Sequence, residues 1–396
     1  MISPPYHLLT LLFVLTALLS SGCRGSVAAP YCGDGIVQGF EECDPGDADD
    51  DRCDACRVRT LEPPLPALPL TQSEDWQWFP IEGTSCRDGS TSGFSVRLGN
   101  DPQKVLFYFE GGGACFELVN CTLTAAKITE LGRTPKEEGI FDRREENPFR
   151  DWTFVYFPYC TGDAFAGTHA SRRYPGVLGR HNFVGATNVE TFLGHLEASF
   201  SGVEELFVTG ESAGGLAALA NARQIQASFP GARMTVLTDS APPLSTDYIA
   251  PCLQEHWADI WGFERSVLPS CGADCNERDD YIQALSLGLA QGPRAANVGV
   301  FSFANDPIIG ALYRHGANDC AMTGIPPLPS EELLEGLKDL REEFSRRRAS
   351  GSVYVAPGSG HECVGSSCFY DTRVDGVPLV QWVNRLRTGR AQSTGG

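Results

Sequence analysis

Along most of this chain, short apolar runs alternate with longer stretches in which apolar residues recur every three or four positions. The runs Lys104-Val105-Leu106-Phe107-Tyr108-Phe109, Leu206-Phe207-Val208, Met234-Thr235-Val236-Leu237, Val298-Gly299-Val300-Phe301-Ser302-Phe303 and Val353-Tyr354-Val355-Ala356 are rich in β-branched and aromatic residues. They are also too short for helices, so they read as buried strands. The stretches 189–200, 213–229, 280–291, 330–348 and 378–388 predict helices. Strands without a polar face, separated by helices, predict a mainly parallel sheet with helices on both faces, an α/β fold. No internal repeat interrupts this alternation.

The first apolar run, 8–19, is too short for an ordinary bilayer span and suits the apolar core of an export signal. Leu19-Ser20-Ser21-Gly22-Cys23 follows it and resembles a bacterial lipobox, with Ser20 where leucine is usual. The expectation is a signal or lipoprotein segment over 1–23, lipidated at Cys23. Simple cleavage after Ser26-Val27-Ala28 is the alternative. A lipid at Cys23 would be the chain's one tie to a membrane and would put it in a bacterial cell envelope. Cleavage would make it a secreted protein.

With 396 residues, 42% of them hydrophobic and 10% aromatic, the chain can bury a large core. A net charge of −19 argues against nucleic acid as a partner. There are 15 cysteines, and either fate of the N-terminus removes Cys23 from pairing and leaves 14. An even number in an exported chain implies disulfides. Cys115–Cys121, Cys271–Cys275 and Cys363–Cys368 are local candidates, although spacing does not fix connectivity.

The chemistry gathers where the apolar runs end. Gly210-Glu211-Ser212-Ala213-Gly214 joins an apolar strand to an Ala/Leu-rich helix, the context of a nucleophile elbow. Such a turn lifts the Ser212 hydroxyl above the sheet, and the helix N-terminus adds free N–H groups beside it. An α/β-hydrolase triad continues in chain order with an acid and then a histidine. Asp306 follows the strand 298–303, and His361 follows the strand at 353–356 within Pro357-Gly358-Ser359-Gly360-His361-Glu362. His361 would take the proton from Ser212, with Asp306 orienting the imidazole. Asp239 also follows an apolar strand and is kept as a structural or pocket carboxylate. Glu362 competes as the site acid, but adjacent side chains rarely face each other. His195 lies in a helical stretch and reads as a surface or packing residue. Glu110-Gly111-Gly112-Gly113-Ala114 after an early strand offers unhindered N–H groups. Gly112, Gly113 and Ala213 are therefore the candidate oxyanion donors.

In order along the chain come Phe109-Glu110-Gly111-Gly112-Gly113-Ala114-Cys115, Tyr156-Phe157-Pro158-Tyr159-Cys160, Gly210-Glu211-Ser212-Ala213-Gly214-Gly215, Thr238-Asp239-Ser240 and Ser359-Gly360-His361-Glu362. This series resembles the pectin acetylesterase/Notum family of serine carboxylesterases from about Asp75 to Arg387. The resemblance implies an α/β-hydrolase-like core, an extracytoplasmic setting, hydrolysis of O-acyl esters, and no metal or other cofactor. It supports Ser212, Asp306 and His361 as the triad. Plant-type members usually carry tryptophan where this chain has Ala114, and Tyr-Cys-Asp-Gly where it has Tyr159-Cys160-Thr161-Gly162-Asp163. In the family those loops face the substrate. Ala114 and Asp163, with Asp239, are thus candidate substrate-loop positions, and ester chemistry is better supported than pectin as substrate.

The expected organisation is a signal segment at 1–23, a Cys-rich acidic module at 31–58, a Pro-rich linker at 59–72 and a serine esterase domain at 73–390. The module opens Cys32-Gly33-Asp34-Gly35, closes at Cys53-Asp54-Ala55-Cys56, and resembles repeats of myxobacterial surface proteins. Zinc is a competing reading of its four cysteines, but disulfides are favoured outside the cytoplasm. The expected reaction is hydrolysis of an O-acyl, foremost O-acetyl, ester on an acylated carbohydrate or small ester. A lipase-like or polyester hydrolase is the alternative, and from another class an inert hydrolase scaffold that binds surfaces. The acidic charge disfavours polyanionic de-esterified pectin unless Arg172, Arg173 and Arg180 form a local basic patch.

Overall fold

The computed structural model describes residues 53–54, 57–58, 65–173, 179–271, 280–292, 294–321 and 326–395. The signal segment, Cys23, and most of the Cys-rich module lie outside the described residues. Of that module, only the antiparallel pair Cys53–Asp54 and Arg57–Val58 is described.

Eight strands build one sheet: β1 (Gln77–Pro80), β2 (Gly93–Arg97), β3 (Asp101–Phe109), β4 (Trp152–Phe157), β5 (Glu205–Glu211), β6 (Arg233–Asp239), β7 (Asn297–Asn305) and β8 (Gly351–Ser359). They lie in the order β1-β2-β4-β3-β5-β6-β7-β8. From β4 to β8 every neighbouring pair is parallel, and β2 runs antiparallel to both its neighbours. This is the α/β, mainly parallel architecture that the hydropathy predicts.

Period-two alternation divides the side chains between two cores. Val105, Phe107 and Phe109 of β3 point to one side, with Val208 of β5, Val236 of β6 and Val300 of β7. Leu106 and Tyr108 point to the other, with Phe207, Leu237 and Phe301. The first face is covered by α1 (Gly185–Ser199), α2 (Ala213–Ser228), α3 (Pro251–Trp261), α4 (Tyr281–Leu289) and, after α5 (Pro307–Tyr313), α6 (Ser330–Arg346). The second is covered by α7 (Leu379–Arg387), through Trp382, Val383 and Leu386, and by Ile140, Phe141 and Phe149.

The hydropathy reading misses β1, β2 and β4. In β2, Phe94 and Val96 alternate with Ser95 and Arg97 over only five residues, and the polar pair is buried as well. β4, Trp152–Phe157, is buried throughout and is an apolar run of the same kind as the strands the hydropathy does predict. The Pro-rich segment expected as a spacer is docked at its end. Leu68 N–H donates to Ser199 Oγ at 2.8 Å, and the Pro66 carbonyl lies 2.8 Å from His195 Nδ1 on α1. Leu68 and Leu70 pack against the core.

Disulfides join Cys86–Cys160, Cys115–Cys121, Cys252–Cys320 and Cys363–Cys368 among the described residues. Two of the three local candidates are therefore present. Cys271 is also disulfide-bonded, and Cys275 lies outside the described residues.

Candidate active site

Ser212 sits between β5 and α2 with φ 52° and ψ −120°, a backbone region that side chains rarely occupy. Its N–H donates to the Asp239 carbonyl at 2.8 Å, so β6 helps to hold the turn. The flanking glycines are required by contact. A Cβ on Gly214 would fall 2.0 Å from the Phe109 carbonyl oxygen, and one on Gly210 would fall 2.4 Å from the Gly214 oxygen. Three backbones meet at the elbow, and only glycine lets them. The side chain of Ser212 is nearly buried, with the residue 7% exposed.

Asp306 follows β7 and His361 follows β8, and the Gly360 N–H ties the two strand ends together through the Asn305 carbonyl at 3.1 Å. His361 Nδ1 lies 2.8 Å from Asp306 Oδ2 and 3.0 Å from Oδ1. A carboxylate there fixes the tautomer with the proton on Nδ1 and leaves Nε2 with a free lone pair. Asp306 is itself held as the N-cap of α5, with Oδ1 accepting from the N–H of Ile308 at 3.1 Å and of Ile309 at 3.0 Å. Burial works against a charged imidazole, yet the bonded Asp306, with Glu362 and Asp239 nearby, holds the His361 pKa above its ordinary value.

No hydrogen bond joins Ser212 Oγ to His361 among the described residues. The charged group facing Nε2 is Glu362 Oε1, at 3.5 Å. The adjacent pair thus does face itself, against the expectation from spacing. The reason is local: Glu362 has φ 65°, which turns the chain back on the imidazole. Burial, reinforced by Glu211, pushes the Glu362 carboxyl up to about 7.

Across the sheet, β3 runs into the glycine turn. Gly112 and Gly113 have φ 142° and 77°, and their N–H groups donate to no acceptor among the described residues. Ala213 is the first residue of α2, so its N–H is one of the helix's unpaired donors. The turn is fixed from behind. Cys115–Cys121 closes it, Cys115 N–H donates to Gly162 O at 2.7 Å, and Trp261 Nε1 donates to Cys115 O at 3.0 Å. The buried Arg87 guanidinium donates to Cys121 O at 3.0 Å and Thr124 O at 2.5 Å. Glu110 Oε2 accepts from Tyr159 N–H at 2.7 Å, and burial pushes its carboxyl up to about 7.

The three candidate substrate-loop positions are all buried. Ala114 lies inside the core behind the glycine turn. Asp163 is 0% exposed and accepts from Thr161 Oγ1 at 2.5 Å and Gly185 N–H at 2.8 Å. Asp239 is also 0% exposed, and its carboxylate binds main chain rather than His361 Nδ1. These residues shape the site from within and present no carboxylate to an open surface. Two groups gain weight over the sequence reading. One is Glu362, which that reading weighed as the site acid and set aside, for the reason above. The other is Glu211, the variable residue of the elbow, whose buried carboxylate accepts from Tyr108 O–H at 2.5 Å. A tyrosine on one apolar strand and a glutamate on its neighbour give no joint signal in one dimension. Among the described residues, no group of His, Cys, Asp or Glu is arranged to hold a metal ion.

Residues 79–259 match the family model described as pectinacetylesterase, and this stretch includes the glycine turn and the serine elbow. Human palmitoleoyl-protein carboxylesterase NOTUM is 27% identical over 203 residues, covering 46% of this chain and 40% of its own. The Drosophila melanogaster carboxylesterase of the same name is 30% identical over 156 residues, 36% of this chain and 23% of its own. Pectin acetylesterase 5 of Arabidopsis thaliana is 27% identical over 208 residues, 48% of each chain. The chain therefore spans less than half the length of these curated relatives. The solved structure of the Drosophila Wnt deacylase Notum superposes with a TM-score of 0.59 at 19% identity. It covers 80% of this chain and 95% of the other, which shows the same fold. The stretch that matches the pectinacetylesterase model thus lies within a Notum-like α/β-hydrolase fold, in which Asp306 and His361 fall beyond residue 259.

Proposed function

We propose that this protein is a serine carboxylesterase acting on O-acyl, foremost O-acetyl, esters of an acylated carbohydrate or a small alcohol. The observation that carries the reading is the Asp306–His361 hydrogen-bonded pair at the same sheet edge as the strained Ser212 elbow. His361 Nε2 accepts the Ser212 proton as Oγ attacks the ester carbonyl. Asp306 stabilises the imidazolium that results. The oxyanion is met by the N–H groups of Gly112, Gly113 and Ala213, which need no reorganisation because their turn is braced by Cys115–Cys121 and Arg87. His361 then gives its proton to the leaving alkoxide. Water, deprotonated by the same nitrogen, attacks the acyl-enzyme and releases the acid. Long apo-state separations between nucleophile and base are common and close in the substrate complex.

A lipase-like reading with a longer acyl chain draws on a different observation. Leu118, Val119 and Leu123, just after the oxyanion turn, are 50%, 56% and 81% exposed. An apolar surface beside the donors favours a fatty acyl group, and NOTUM relatives are named for a palmitoleoyl ester. Disulfides are the mark of an oxidising compartment, and the reading includes export, with a lipid at Cys23 as the envelope anchor.

Turnover of p-nitrophenyl esters from acetate to palmitate, with Ser212→Ala alongside, tests the proposal. Activity that is greatest on acetate and lost in the variant supports it. A preference for palmitate selects the lipase-like reading. Absence of Ser212-dependent turnover and of fluorophosphonate labelling in the folded protein makes it an inert scaffold.

A further inference from the structure

We propose that Asp239 is a positioning residue that clamps the His361 loop to the nucleophile elbow. It ends β6, between the strand that carries Ser212 and the strand that carries Asp306. Its main-chain carbonyl accepts the Ser212 N–H at 2.8 Å. Its side chain reaches the other way: Oδ2 accepts from Cys363 N–H at 2.8 Å and from Val364 N–H at 2.6 Å. Oδ1 accepts from Ser240 Oγ at 3.0 Å, and Ser240 Oγ in turn accepts from Glu362 N–H at 2.9 Å. The three N–H groups that directly follow His361 are therefore bound by Asp239 and its neighbour. The Cys363–Cys368 bridge closes the loop behind them.

This arrangement is specific to the site. Asp239 is fully buried, and a buried carboxylate is stable only when its oxygens are filled. Here they are filled by one hydroxyl and two amides of the base's own loop. One residue thus fixes both sides of the gap that the proton must cross. A displacement of about 1 Å in such a pair costs about a hundredfold in rate. Asp239 also lies within electrostatic reach of His361, along with Asp306 and Glu362, and its charge helps hold the imidazole protonated. Glu211 is the other carboxylate facing Asp239.

The proposal rests on the serine-esterase reading of the same site, and two readouts separate them. In steady-state hydrolysis of p-nitrophenyl acetate by the full chain, Asp239→Ala lowers kcat about tenfold to a hundredfold and leaves KM within about twofold. Asp239→Asn keeps an acceptor for the loop amides but removes the charge. It loses less kcat, and NMR titration of the His361 imidazole moves to lower pH. Ser240→Ala releases the Glu362 amide and the hydroxyl on Asp239 Oδ1 but leaves the Cys363 and Val364 amides bound, and falls between wild type and Asp239→Ala. Asp163→Asn, equally buried but bonded elsewhere, is the control and leaves the His361 titration in place. If Asp239→Ala does not fold, Asp239→Asn and Ser240→Ala carry the test. Wild-type kcat in Asp239→Ala, or an unmoved His361 titration in Asp239→Asn, overturns the proposal. A shifted titration in a protein with no esterase activity supports the clamp and overturns the esterase reading alone.

Discussion

Two residues set how the site answers to pH. In the proposed mechanism His361 must be neutral to accept the Ser212 proton, and its surroundings raise its pKa above the ordinary 6.5. Esterase activity should therefore rise with pH, with the midpoint of the acid limb of kcat/KM above that value. Glu362 faces the same nitrogen and favours the imidazolium when ionised. Glu362→Gln removes that attraction, so the acid limb should move to lower pH. A pH–rate profile of both proteins checks the pair, and an upward shift in the variant would contradict the assignment. The elbow gives a second test at this scale. Gly214→Ala drives a methyl into the Phe109 carbonyl. It should cost about 1–3 kcal/mol in urea denaturation, with loss of turnover.

At the scale of elements, the oxyanion turn depends on what fixes it behind the sheet. Cys115–Cys121 closes a loop only six residues long. The paired change Cys115→Ser and Cys121→Ser should cost roughly 2 kcal/mol. It should also lower kcat more than KM changes, because the donors of Gly112 and Gly113 lose their backing. Thermal unfolding and p-nitrophenyl acetate kinetics measure the two effects. Both flanking signals were legible in one dimension: a buried strand ending in three glycines, and cysteines close enough to pair. The antiparallel β2 was not, because Ser95 and Arg97 are buried by partners distant in sequence. Ser95 Oγ donates to Arg133 O at 2.7 Å, and Arg97 donates to Phe141 O at 2.9 Å.

For the molecule as a whole, the docked end of the Pro-rich segment sets where the domain can be cut. A chain starting at residue 73 loses the Leu68 N–H bond to Ser199 and the packing of Leu68 and Leu70. It should be less stable than a chain starting at residue 65 by about 2–4 kcal/mol, from burial of partly exposed leucines and one hydrogen bond. Equal unfolding midpoints for the two truncations would place the boundary where the composition shifts. The second core is likewise a whole-molecule property. Ile140, Phe141 and Phe149 share a core with the C-terminal helix because both are laid on the same face of the sheet.

The sequence by itself determined the nucleophile elbow, the glycine turn and the alternation that makes a parallel sheet, because each is a local pattern of φ requirements and buried runs. It also placed Asp306 and His361 at strand ends. It named Asp306 over Asp239 as the partner of the histidine from chain order alone, since both follow apolar strands and no local pattern tells them apart. Strand order decides between them. β7 lies next to β8 and brings Asp306 to Nδ1, while β6 lies one strand further and brings Asp239 to the loop's main chain. The bridges Cys86–Cys160 and Cys252–Cys320, at separations of 74 and 68 residues, were also left to the tertiary structure. Nothing in a linear spacing that long says which two ends the fold will bring together.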